Sequence, residues 1–137
     1  MANATFGPGK EETTEGGGKI CVYGSQTTNV FTVLVGQAAD AATAKAEWDA
    51  ELAVAEAKIN SALPPGVQVK FDASNTSGIG DQAVTLSGTE AAAGISFNGV
   101  YVLSGATFFL IGDMVLHRAP ASIADLTTQA QTVLGRI

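Results

Sequence analysis

The sequence predicts an α+β domain, with a mostly antiparallel sheet of about six strands packed by two amphipathic helices. Three observations predict it. Apolar, β-branched runs bounded by Gly, Ser and Asn recur along the chain. Two stretches carry apolar residues at helical spacing. Strands and helices do not alternate strictly, as a doubly wound parallel sheet requires.

The 137 residues suit one domain. Residues 1–18, which include "GPGKEETTEGGG", have almost no apolar anchor and read as a flexible tail or tether. Residues 19–137 form the domain. Its first strands are Lys19–Tyr23 and Val30–Val35, and the six residues between them suit an antiparallel hairpin. Asp40 to Leu63 is the strongest helix. Asp40 can cap it, and Trp48, Leu52, Ala55, Ile59 and Leu63 share one face. Pro64-Pro65-Gly66 stops it.

Val67–Phe71 alternates apolar and polar residues like a half-buried strand, and residues 72–78 read as a loop. "GIGDQAVTL" then turns into a strand over 83–86. In this turn Gly78 and Gly80 supply backbone freedom, and Asp81 bonds local amides. Runs 95–103 and 106–115 flank Ser104-Gly105, a tight hairpin signal, and Gly99 and Gly112 inside them suggest bulges or bends. The second run is the most apolar and is expected at the centre of the sheet. Ser122 with Asp125 starts the last helix, whose buried stripe is Ile123, Leu126, Ala130, Val133 and Ile137.

Composition excludes several functions. Net charge is −6 and the seven basic residues are scattered, so neither a nucleic-acid backbone nor an anionic membrane surface is an expected partner. No apolar run approaches the ~20 residues of a membrane span. Cys21 is the sole cysteine, which allows no internal disulfide and no thiolate zinc site. It reads as a small hydrophobe on a strand, or as half of a disulfide whose partner lies elsewhere. Met1–Thr5 lacks the basic start and apolar core of a leader.

Catalytic inventory is thin. His117 is the only histidine, too few imidazoles for an ordinary transition-metal site, and no Gly-x-Ser-x-Gly elbow accompanies it. Asp72–Asp81 alternates oxygen-bearing residues, but Ala83 stands where a calcium loop needs its closing acid. Glu47, Asp49 and Glu51 lie among lysines, as on a solvated helix face. No catalytic, cofactor or metal residues are expected. Trp48, Tyr101, Asp81 and His117 are the candidate contacts for a ligand or partner.

The "C-x-Y" strand, the Ala-rich helix, "GIGDQA", "GVYVLSGATFF" and the closing "IADLTTQAQTVLGRI" together resemble the small extracytoplasmic lipoprotein domains of actinobacteria, which share a PsbP-like α+β fold. The likeness spans residues 19–137. Two features depart from it: no helix precedes the cysteine strand, and the second cysteine is missing. The resemblance implies an extracytoplasmic location, secreted or in the cell envelope, with the leader absent from these residues. It also implies a non-enzymatic role in binding a partner protein or envelope component. The alternatives are a carrier of a small apolar ligand between the sheet and the Trp48 helix, an enzyme or accessory subunit using His117, and self-assembly through Phe108-Phe109.

Overall fold

A computed structural model describes residues 10–13, 19–25 and 29–136. They form seven strands and two helices in the order β1 (Lys10–Thr13), β2 (Lys19–Ser25), β3 (Asn29–Gln37), α1 (Ala41–Ser61), β4 (Lys70–Thr76), β5 (Gln82–Glu90), β6 (Ile95–Ser104), β7 (Thr107–Leu116) and α2 (Ile123–Leu134). All strands join one sheet in the spatial order β1-β2-β3-β7-β6-β5-β4. Every neighbouring pair is antiparallel. The chain is therefore α+β with an antiparallel sheet and two helices, as its residues predict. Among the described residues, no helix is long and apolar enough to cross a membrane.

Several boundaries differ from expectation: α1 stops at Ser61, leaving Leu63 beyond it, and β3 and β5 run longer than 30–35 and 83–86. Lys10–Thr13, within the expected tail, is an edge strand paired to β2. Residues 1–9 and 14–18 lie outside the described residues, as does Ile137 of the expected helix stripe. Residues 72–76, expected in a loop, belong to β4, while 67–69 precede it. Asp, Ser and Asn have poor strand propensity, but pairing with seven consecutive residues of β5 overrides it.

The helices cover opposite faces of the sheet. Strand alternation sends Val84, Leu86, Phe97, Tyr101, Leu103, Phe108 and Leu110 towards Ala44, Trp48 and Ala55 of α1. The other set, Ala83, Val100, Val102, Phe109 and Ile111, meets Leu126 and Ala130 of α2. Leu52 and Ile59 of the predicted α1 stripe are half-buried, as are Ile123 and Val133 of α2. β7 is central, between β3 and β6, and Phe108 and Phe109 are both buried. Neither edge of that strand is open to another molecule, so self-assembly through Phe108-Phe109 has no free backbone to use.

Both caps act as predicted. The Thr43 amide donates to Asp40 Oδ1 at 2.8 Å; these bonds from Thr43, backbone first and then side chain, hold the Asp40 carboxyl below its usual range. The Asp125 amide donates to Ser122 Oγ at 3.1 Å, and that hydroxyl donates to Asp125 Oδ2 at 2.8 Å.

Gly99 and Gly112 are not bulges. They face each other in register across β6 and β7. A side chain on either would strike the Phe97 ring, so the pair forms a floor beneath that ring on the α1 face. Phe71 meets Phe97 edge-on, with centroids 5.2 Å apart and planes at 82°.

Candidate functional site

The four candidate residues do not converge. Trp48 and Tyr101 belong to the same core cluster beneath α1, each 4% exposed. Asp81 lies at the β6–β7 hairpin end of the sheet, because its amide donates to the Leu103 carbonyl at 2.8 Å. His117 follows β7 at the other end, where its amide donates to the Gly94 carbonyl at 2.7 Å. Those two ends are roughly 30 Å apart at ~3.4 Å per strand residue.

Asp81 has a structural task. Its Oδ2 accepts from the Gly105 amide at 2.7 Å, so the bond spans 24 residues instead of closing a local turn. Gly80, at φ +57°, brings its backbone so close to the hairpin that a Cβ would sit 2.5 Å from the Leu103 carbonyl oxygen. "GIGD" thus fastens the start of β5 to the β6–β7 hairpin, and the buried Ile79 between the glycines packs into the α2-side core.

His117 has φ +55°, the one described non-glycine residue in the left-handed region, and its ring lies against Gly94. The side chain is exposed.

Trp48 and Tyr101 make a more selective environment. Trp48 Nε1 is buried without an acceptor among the described residues, and Lys45 Nζ lies 5.3 Å from the indole centroid. Burial pushes the Tyr101 phenol up to about 12, with the negative charge of Glu51 adding to the effect. Both groups are therefore neutral hydrogen-bond donors at ordinary pH.

Sequence reading missed a second polar feature, on the α2 face. Asp113 is the buried charged residue of the core, 4% exposed. Its Oδ2 accepts from the Ala121 amide at 2.7 Å, and Asn98 Nδ2 donates to the Ala121 carbonyl at 3.0 Å. Together these cross-strand neighbours grip both backbone groups of the residue just before the α2 cap. Asp113 Oδ1 is buried without a partner among the described residues. Asp113 lies within the most apolar run of the chain, and nothing in a linear pattern reveals that the run meets a loop there.

Asn98 and Asp113 close a longer polar row. Cross-strand pairing sets Asp72, Ser87, Asn98 and Asp113 side by side. Lys70, Thr89 and Ser96 form the next row, and Ser74 and Thr85 flank it on the other side. α2 packs on β6 and β7, where the Ser74–Thr85 row continues into Val100 and Ile111, while the Asp72–Ser87 row ends in the Asn98 and Asp113 grip on Ala121. Over β4 and β5 the same face is exposed or half-buried from Lys70 to Thr76 and from Thr85 to Thr89, and buried at Ala83. The result is a grid of hydroxyls with one ammonium, Lys70, and one exposed carboxylate, Asp72, with neighbours ~5 Å apart across strands and ~7 Å along them.

Cys21 is half-buried on β2, opposite Val33 and Glu11, and is free. Comparison with protein families, curated proteins and solved structures returned no match.

Proposed function

We propose that this chain is a non-catalytic binding domain, displayed outside the cytoplasm as a secreted or lipid-anchored module, that holds a partner protein or cell-envelope component. The PsbP-like lipoprotein domain remains its proposed relative. One observation carries the binding reading: the polar grid of hydroxyls with Lys70 and Asp72 on β4, β5 and the start of β6, on the α2 face and beside the strands that α2 covers. The Thr85 hydroxyl is used within the sheet, donating to the Ser74 carbonyl at 3.2 Å, and the other polar groups of the grid give a polar ligand donors and acceptors on a rigid support.

The test is co-sedimentation of labelled protein with the envelope fraction of its host. Wild type is expected to bind, and Thr85→Arg/Ser87→Arg to bind at least ~10-fold more weakly at unchanged circular dichroism. Val54→Arg, at an exposed position of α1, is the control expected to bind normally. Equal binding by the grid variant removes the reading, and recovery of the native protein from cytosol alone removes its extracytoplasmic part.

A second reading is favoured by the indole N–H of Trp48, which has no partner among the described residues and lies in the core cluster that includes Tyr101. A small apolar ligand with a neutral acceptor, such as a ketone or ester, would satisfy that donor beneath α1. Titrating a panel of such compounds while following Trp48 fluorescence checks it, and no response across the panel removes it.

A further inference from the structure

We propose that two copies of this chain join through the outer edge of β4, in antiparallel register about Ser74, so that their sheets and polar grids become continuous. This inference stands independently of what the grid binds. β4 pairs with β5 on one side only, and its residues are exposed apart from the half-buried Phe71 and Thr76.

Hydrogen bonding shows which backbone groups face outward. Val69 exchanges two bonds with the Asn60 side chain, at 2.7 and 2.9 Å. The Phe71 amide donates to Glu56 Oε2 at 3.3 Å. α1 thus blunts the first part of the edge. Strand alternation then turns Ala73 and Asn75 outward, with no such cover among the described residues. A free edge two outward residues long suits a partner strand that is equally short and stops at the same point.

A second copy meets that description. Pairing Ala73 with Asn75 of the other copy, and Asn75 with its Ala73, forms four main-chain hydrogen bonds. Ser74 then faces Ser74 on the two-fold axis, and Asp72 faces Thr76. Lys70 arrives opposite Gly78, where a Cβ would meet nothing within 4 Å, so the blunted end of each copy lies beside open space. Sliding one strand four residues, which moves the two-fold axis from Ser74 to Asp72, sets Asp72 against Asp72, which charge repulsion disfavours. The two-fold axis is perpendicular to the sheet, so both grids face the same side. The joined surface therefore has twice the width of either, and gives a repetitive ligand two linked sites.

Four edge hydrogen bonds make a weak dimer, expected near ~100 μM or above. Sedimentation equilibrium from micromolar to ~1 mM protein should show concentration-dependent dimerisation. Ala73→Pro removes an outward amide that β5 does not use, and should weaken association at least ~10-fold while leaving circular dichroism unchanged. In a Cys21→Ser background, Ser74→Cys should form an intermolecular disulfide under mild oxidation, because residues on the axis lie ~4.5 Å apart. Asp72→Cys should crosslink far more slowly. A monomer at ~1 mM overturns the proposal, as does equal crosslinking at positions 72 and 74. If Ala73→Pro fails to fold, the cysteine pair decides alone.

Discussion

Replacing Gly99 with Ala puts a methyl group where the Phe97 ring lies. A Cβ there would stand 2.8 Å from Phe97 Cζ, 2.9 Å from Cε1 and 3.3 Å from Leu110 Cδ1. Ordinary carbon–carbon contact is about 3.5–4.0 Å, so the ring must retreat by roughly 1 Å. Its room is limited, because the same ring lies over Gly112 and meets Phe71 edge-on. Overpacking of this kind costs about 1–3 kcal/mol. Alanine returns roughly 0.5–1 kcal/mol of chain entropy that glycine loses in a strand. The clash wins, leaving a net loss of about 1–2 kcal/mol and a Tm lower by roughly 3–8 °C. Urea unfolding followed by Trp48 fluorescence measures it. Phe97→Leu removes the obstructing ring, so Gly99→Ala in that background should be neutral or stabilising, a coupling of at least about 1 kcal/mol. An equal cost in both backgrounds, or no cost in the wild type, refutes the ring-on-glycine account.

Asp113→Ala leaves the Ala121 amide without its acceptor and should cost about 1–3 kcal/mol; amide exchange should quicken across 121–134 more than in β4 and β5, and unchanged exchange there would show that the clamp does not hold α2. His117→Gly relieves a left-handed backbone and should raise stability by up to about 1 kcal/mol, read as Tm; a clear fall would mean that the ring on Gly94 matters more than the strain. For Tyr101, the difference in alkaline absorbance titration between wild type and Tyr101→Phe should show a phenol ionising near 12. The folded state binds that proton more tightly than the unfolded chain, whose phenol titrates near 10.0. The stabilisation is therefore complete below pH ~10 and declines as pH rises towards ~12. Tyr101→Phe should lack that part of the decline.

Local signals located most elements because local physics forms them. Asp40 and Ser122 cap their helices as predicted, since a cap needs only its own first turn. Trp48 and Ala55, and Leu126 and Ala130, are buried at the positions that helical spacing assigns. The β6–β7 hairpin forms where expected, with Gly105 and Ala106 as its two-residue turn between Ser104 and Thr107. The strand expected over Val67–Phe71 lies three residues later, at Lys70–Thr76, because "DASNT" has loop composition and only its pairing with β5 makes it strand.

The sequence by itself determined an α+β chain with two capped helices, a central strand containing Phe108 and Phe109, and a thin catalytic inventory, because periodicity and residue chemistry act over a few residues. Tertiary structure decided what the glycines and acids do. Gly99 and Gly112 proved to be a floor for Phe97, since their roles depend on a ring and on each other across two strands. Asp81 reaches Gly105, and Asp113 with Asn98 reaches Ala121, because folding brings distant backbone amides to carboxylates that no spacing connects. The polar grid likewise exists only in cross-strand register: Asp72, Ser87 and Asn98 are separated in the chain and adjacent on the sheet.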